Sequence, residues 1–315
     1  MSLRRTWTLA GSAVALAALA RAGWEWEVSI GPAMERGEAR YEIGGTVRMR
    51  ESTEVVPFPI SRLEWPVEGV GLDAALRARP SDRWEVWLRG EWLSSDAGTV
   101  RDSDWDYVEG IGRLAIYSES DSSLEAWGLE GGLRWPALRF GPADARVALG
   151  IGLGWLRRSL GWEASDGRQW YPCEPWVAHY EWTGPAVRYD LEMDAPFGDA
   201  WIEVRGRRWT VEARAAAAPW AEVRDRDDHL LRGIFAETRA DGSAVWVEAS
   251  ATVSITGSWS LRMLGRYFLV AGEGESRNVV YGGEDPEVPV GLRWSIDEEI
   301  EAGWGTVGMS VVWSR

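Results

Sequence analysis

The stretch "RWEVWLRGEWL", Arg83 to Leu93, decides the fold class. Trp84, Val86, Leu88 and Trp92 fall on one face of an extended chain, while Arg83, Glu85, Arg89 and Glu91 fall on the other. That is a period of two, the signature of a strand with one apolar and one polar side. The same alternation returns in "SWSLRMLGRYFLVAG", where Trp259, Leu261, Met263, Tyr267 and Leu269 oppose Ser260, Arg262 and Arg266. In "SAVWVEASATVSI" the odd positions Val245, Val247, Ala249, Ala251, Val253 and Ile255 oppose Trp246, Glu248, Ser250, Thr252 and Ser254. Each run has about ten residues or a little more, which is what a tilted strand needs to cross a hydrocarbon layer.

Similar runs occur near 24 to 41, 61 to 77, 122 to 136, 145 to 162, 180 to 193, 200 to 220 and 302 to 313. Together they predict an all-β, ten-stranded antiparallel transmembrane β-barrel with long extracellular loops. An even strand count puts both termini on one side. Residues 288 to 296 also alternate and read as a strand extension before the last strand. "TGS" before Trp259 is a tight turn, whereas 94 to 121, 163 to 179, 221 to 243 and 272 to 301 are long, polar and acidic. Charged residues on the non-apolar face suit a polar lumen better than the dry core of a water-soluble sandwich. The 23 tryptophans, many at strand ends, suit aromatic girdles at two membrane interfaces. Trp313 stands two residues before the end, near the aromatic finish of outer-membrane strands.

The first residues, "MSLRRTWTLAGSAVALAALARAGW", combine a basic start, a short apolar run and a small-x-small site at Ala20 to Ala22. They read as a secretory signal over 1 to 22, leaving 23 to 315 as one barrel domain. Cys173 is the sole cysteine, so no intrachain disulfide can form. A formal charge of −15 argues against nucleic acid as a partner and suits cationic substrates.

Two acidic motifs fall on different outer stretches: "TVRDSDWDY", with Asp102 and Asp104, and "EVRDRDDHL", with Asp225, Asp227 and His229. A D-x-D spacing on a strand points both carboxylates one way, so that a proton can be shared between them. D-x-H places Asp227 beside His229, where it fixes the imidazole tautomer and stabilises the imidazolium. Facing each other across a cleft, the two motifs would hold a water between Asp102 and His229, and the chemistry would be hydrolysis without serine, cysteine or metal. Acidic runs of this kind also serve as solvated loops or calcium sites. A metal centre lacks HExxH, paired histidines and a second cysteine, and no serine stands beside His229 as a lipid-modifying enzyme would need. His179, in "WVAHYEW", reads as structural.

In order of elements, the signal, the ten-strand pattern, "DSDW" and "PWAEVRDRDDH" resemble the omptins, outer-membrane endopeptidases of Gram-negative bacteria. Trp105 follows Asp104, Trp220 precedes Asp225 by five residues, and "EVSIG" (Glu27 to Gly31) and "SRLEW" (Ser61 to Trp65) stand in omptin-like places. The resemblance implies cleavage of peptide bonds at basic, above all dibasic, sites, with the active site facing the cell exterior. It implies that Asp227 and His229 are a catalytic dyad, that Asp102 and Asp104 are the acidic couple opposite, and that Asp225 binds the basic substrate side chain. Glu38, in "ERGEARY", is the match for a second substrate-binding carboxylate, displaced by one residue. No cofactor is implied, but lipopolysaccharide is implied as an activating lipid, and Arg157 or Arg158 lies near a position expected to contact it. Peptides with basic residues and membrane lipids complete the implied partners. The alternative from the same pattern is a barrel without catalysis, acting as an adhesin or structural protein.

Overall fold

The computed structural model describes residues 24–142, 144–173, 179–282 and 289–315. The expected signal over 1 to 22 lies outside them, as do parts of the stretches 163 to 179 and 272 to 301.

Eleven antiparallel strands follow in chain order: β1 (Glu25–Met49), β2 (Thr53–Ser81), β3 (Trp84–Ser95), β4 (Thr99–Val108), β5 (Ile111–Phe140) and β6 (Ala145–Trp170). β7 (His179–Gly206), β8 (Trp209–His229), β9 (Ile234–Ser254), β10 (Trp259–Val280) and β11 (Arg293–Ser314) complete them. β1 pairs with both β2 and β11, which closes the sheet on itself. β3 and β4 both run between β2 and β5, one above the other, and Asp96 to Gly98 interrupt them. They are one stave, so the ring has the ten staves the alternation predicts. The two ends meet where Trp26 and Arg315 exchange backbone hydrogen bonds of 3.1 and 3.0 Å.

The period of two fixes what faces where. On β3, Trp84, Leu88 and Trp92 are exposed while Glu85, Trp87 and Arg89 are buried. On β10, Trp259, Leu261, Met263, Tyr267 and Leu269 face out and Arg262 and Arg266 face in. The outward residues make an apolar belt bounded by tryptophans, with Trp84, Trp209 and Trp259 at its lower rim and Trp92, Trp127 and Trp155 at its upper. Trp84 and Trp92 are about 27 Å apart along the strand, close to 20 Å once the chain tilts, which suits the hydrocarbon layer of a bilayer. Other tryptophans turn inward: Trp65, Trp246 and Trp304 are fully buried.

Inside the belt the lumen is filled with charge. Arg134 meets Glu212 at 2.7 Å, Arg214 meets Glu130 and Asp199 at 2.8 Å each, and Arg89 bridges Asp73 at 2.5 Å and Glu248 at 2.6 Å. Arg158 joins Glu35 and Glu91. Ions removed from water this way need several partners each, and each of these arginines has at least two. Above this layer the staves continue well past the belt. The long acidic stretches expected as outer loops are largely strand, because the alternation of face persists once the apolar residues give way to polar ones. β8 runs to His229, and β4 and β5 meet at a two-residue turn where Glu109 (φ 53°) and Gly110 (φ 79°) both take the left-handed conformation. Of 288 to 296, the strand takes up only the part from Arg293 onward. The stretches 180 to 193 and 200 to 206 are one strand, β7, and the turn to β8 is at Arg207 and Arg208.

Candidate active site at the barrel mouth

The cleft at the end of the barrel opposite the chain termini is built where strand register brings distant residues level. Tyr41 on β1 pairs with Leu63 on β2, Leu63 with Asp102 on β4, and Asp102 with Ser118 on β5. Directly paired residues share a face, so Asp102 turns inward with its neighbours. Asp102 lines a cavity of about 350 Å³ together with His229, which reaches it from β8 on the far side. The structure therefore brings the two acidic motifs to one cleft, across three intervening staves.

On β8 the inward positions are Val223, Asp225, Asp227 and His229, as the period of two requires. His229 Nε2 lies 2.8 Å from Asp227 Oδ2, and the Tyr41 hydroxyl donates to that same oxygen. Burial alone would push the imidazole down, but the Asp227 charge and its hydrogen bond outweigh it, so His229 titrates above its ordinary 6.5. Asp102 is pushed up to about 7, first by burial and then by the nearby Asp104 charge, against the opposing pull of Arg232 and His229. One Asp102 oxygen, Oδ1, is buried with no hydrogen-bond partner among the described residues. Asp104 is more open and sits 3.7 Å from Arg232.

Arg232 belongs to the turn between β8 and β9. Its backbone N–H donates to the His229 carbonyl at 3.1 Å, and Gly233 (φ 61°) closes the turn in the left-handed region, which costs a glycine little. The side chain lines the same cavity as Asp102 and His229.

Asp225 lies one inward position below Asp227, buried against the Tyr189 hydroxyl at 3.1 Å. Its acidic neighbour is Glu298 on β11, which accepts from Thr238 at 2.8 Å. Burial raises both carboxyls, and the Asp225 charge raises Glu298 further, so the pair holds a proton between them. Glu38 is not part of this group. On β1 the inward residues are Glu35, Ala39 and Tyr41, which leaves Glu38 on the outer face near Arg40 and Glu64, away from Asp225. Glu298 was legible in principle: Ile296, Ile300, Ala302 and Trp304 alternate inward on either side of a single carboxylate. It was hidden by reading 272 to 301 as a connection rather than as strand. Arg232 carried no sequence signal beyond its place before a turn glycine.

Beneath the cleft an aromatic cluster forms the floor. Trp65 stacks on Tyr189 with centroids 5.4 Å apart, Tyr41 packs on Tyr189 at 5.2 Å, and Trp162 donates its indole N–H to the Pro66 carbonyl at 2.7 Å. Tyr41 packs on this floor with its hydroxyl directed to Asp227. Outside the barrel, Arg157 points away from the lumen beside Trp127 and Glu192, while Arg158 is committed to the interior network. Trp105 lies under the Arg62 guanidinium at 5.3 Å, and Trp220 is exposed on the wall at a break in the pairing of β8 and β9. His179 begins β7 at the surface, 3.9 Å from Glu181, and is not in the cleft.

No protein-family model matches the chain, and no curated protein matches it in sequence. Among solved structures it is similar to the crystal structure of the outer membrane protease OmpT from Escherichia coli, with a TM-score of 0.73 and 15% identity over 92% of this chain and 97% of that one. The fold is that of an outer-membrane β-barrel. At that identity the likeness concerns the fold alone. The outer membrane protein OprG from Pseudomonas aeruginosa (TM-score 0.40, 6% identity, 92% of this chain and 95% of that one) also matches. So does Ail, the attachment invasion locus protein of Yersinia pestis (0.28, 8%, 92% and 98%). In this outer-membrane β-barrel, the cleft described above lies at the end opposite the chain termini, where the staves rise past the belt.

Proposed function

We propose that this barrel is an outer-membrane endopeptidase that cleaves peptide bonds at basic residues, with the cleft facing the cell exterior. The observation that carries the reading is the pairing of His229 with Asp227 on the wall of the same cavity that holds Asp102. A base with an orienting carboxylate, set opposite a second carboxyl, is the minimum needed to activate water.

With Nε2 committed to Asp227, Nδ1 is the imidazole nitrogen free to take a proton. Water held between His229 and Asp102 attacks the peptide carbonyl carbon, its proton passes to His229, and the carbonyl π pair moves onto oxygen. The imidazolium, stabilised by Asp227, then returns that proton to the leaving amine nitrogen as the C–N bond breaks. Near neutral pH a protonated Asp102 can donate a hydrogen bond to the developing oxyanion. Asp104 supports Asp102 by raising its pKa and by engaging Arg232. Asp225, with Glu298 in place of the expected Glu38, supplies the negative charge for a basic substrate side chain. A guanidinium brought to that pair would displace the shared proton and find two carboxylates. Arg157, outward beside Trp127, is the residue positioned to meet a lipid phosphate, such as that of lipopolysaccharide.

The test is cleavage of fluorogenic peptides containing an Arg-Arg pair by refolded barrel, with and without lipopolysaccharide, beside the His229→Ala and Asp227→Asn variants. Cleavage by the wild type that falls at least about 100-fold in His229→Ala supports the reading. A folded wild type that cuts no basic peptide under either condition refutes it and leaves a barrel acting as an adhesin or structural protein.

A further inference from the structure

The cavity beside Asp102 and His229 has walls of a kind that the proposed recognition of basic residues does not use. Four aromatic side chains, Trp65, Tyr171, Tyr180 and Trp182, surround it, with Tyr180 and Trp182 stacked at 6.1 Å. Val100, Val187 and Leu231 add apolar wall beside the polar Ser118, Ser120 and Gln169, and two small residues, Ala164 on β6 and Ala186 on β7, leave room between them. The volume of about 350 Å³ is ample for a ring, since an apolar cavity of roughly 150 Å³ accommodates benzene. The cavity lies toward β4 to β7, whereas Asp225 and Glu298 lie lower and toward β8 to β11. The dyad stands between them.

Charge argues in the same direction. Among the described residues, Arg232 is the one arginine or lysine on the cavity wall, held by Asp104 at 3.7 Å. A second guanidinium or ammonium brought here would meet Arg232 and compete with it for Asp104. An uncharged ring meets aromatic faces and no like charge. We infer that this cavity is a subsite for a large apolar or aromatic side chain of the substrate, on the opposite side of the scissile bond from the residue held by Asp225. The chain would then cut between a basic and a bulky apolar residue in preference to a dibasic pair. The inference rests on the endopeptidase reading and narrows its substrate class.

The experiment is a peptide series with Arg fixed on one side of the bond and Phe, Leu, Ala, Arg or Asp on the other, each cut located by mass spectrometry and its kcat/KM measured on the full barrel. Phe and Leu should exceed Ala by about tenfold or more, the ratio expected for burying such a side chain, and should exceed Arg. Ala186→Leu, which fills the cavity, and Trp182→Ala, which removes a wall, should each bring the Phe to Ala ratio within about threefold of one. Cleavage of the series without preference for Phe or Leu, or with Arg preferred, overturns the inference and leaves the endopeptidase reading standing. A ratio unmoved in both variants overturns the placement of the subsite. If no peptide of the series is cut by folded barrel, the endopeptidase reading falls and this inference with it.

Discussion

Replacing Asp102 with Asn should make the barrel more stable and less active, by amounts that depend on pH. In the folded chain the Asp102 carboxyl is held up to about 7, from an ordinary 3.8, by burial and by Asp104. Between those two values the folded state keeps a proton that the unfolded chain has released, so stability falls as pH rises through the window. Each pH unit is worth about 1.4 kcal/mol, which sums to about 4 kcal/mol above pH 7, or roughly 2 once solvent screening at the cleft mouth is allowed for. Asn keeps the shape and discards the charge. The variant should therefore match the wild type near pH 4 and exceed it by about 2–4 kcal/mol at pH 8, read from urea titrations in vesicles followed by tryptophan fluorescence. The same substitution should lower cleavage at least about 100-fold, since an amide holds the water less strongly than a carboxylate and is a weaker donor to the developing oxyanion than a carboxylic acid. A stability difference that stays constant from pH 4 to 8 would show that Asp102 is not held protonated, and the electrostatic account of the cleft would be wrong.

Three further outcomes follow from the same geometry. Because His229 must be neutral to accept a proton and titrates above 6.5, kcat/KM should rise with pH through that raised value; Asp227→Asn, which removes the cause, should shift this limb to lower pH. Asp225→Asn should cut kcat/KM for peptides with Arg at the fixed position far more than for otherwise identical peptides with a neutral residue there, because only the former lose a charged partner. In the lumen, Arg158→Met strands Glu35 and Glu91 without their shared cation and should destabilise the barrel by about 3–5 kcal/mol in the same urea assay, while Arg157→Met on the outer wall should cost under about 1 kcal/mol.

The ring of ten staves was legible in the chain because a strand with lipid on one side and a polar lumen on the other must alternate, and alternation is written one residue at a time. "RWEVWLRGEWL" says which side chains point to lipid without reference to anything else in the molecule. The two D-x-D and D-x-H motifs could be found for the same reason, since a spacing of two puts both groups on one face. Strand limits were less legible above the belt. There the outward residues are no longer apolar, so β8 beyond Trp220 and β11 before Ala302 read as loop.

What one strand writes locally, the sequence determined by itself: strand type, inward and outward faces, and the pairing of Asp227 with His229. What depends on the register between strands, only the closed barrel decided. Register set Asp102 level with Tyr41 and opposite His229, turned Glu38 outward, brought Glu298 from β11 to Asp225, and laid Arg232 over the cleft. A shift of one residue in any of those pairings reverses a face, and no single segment of the chain carries that information.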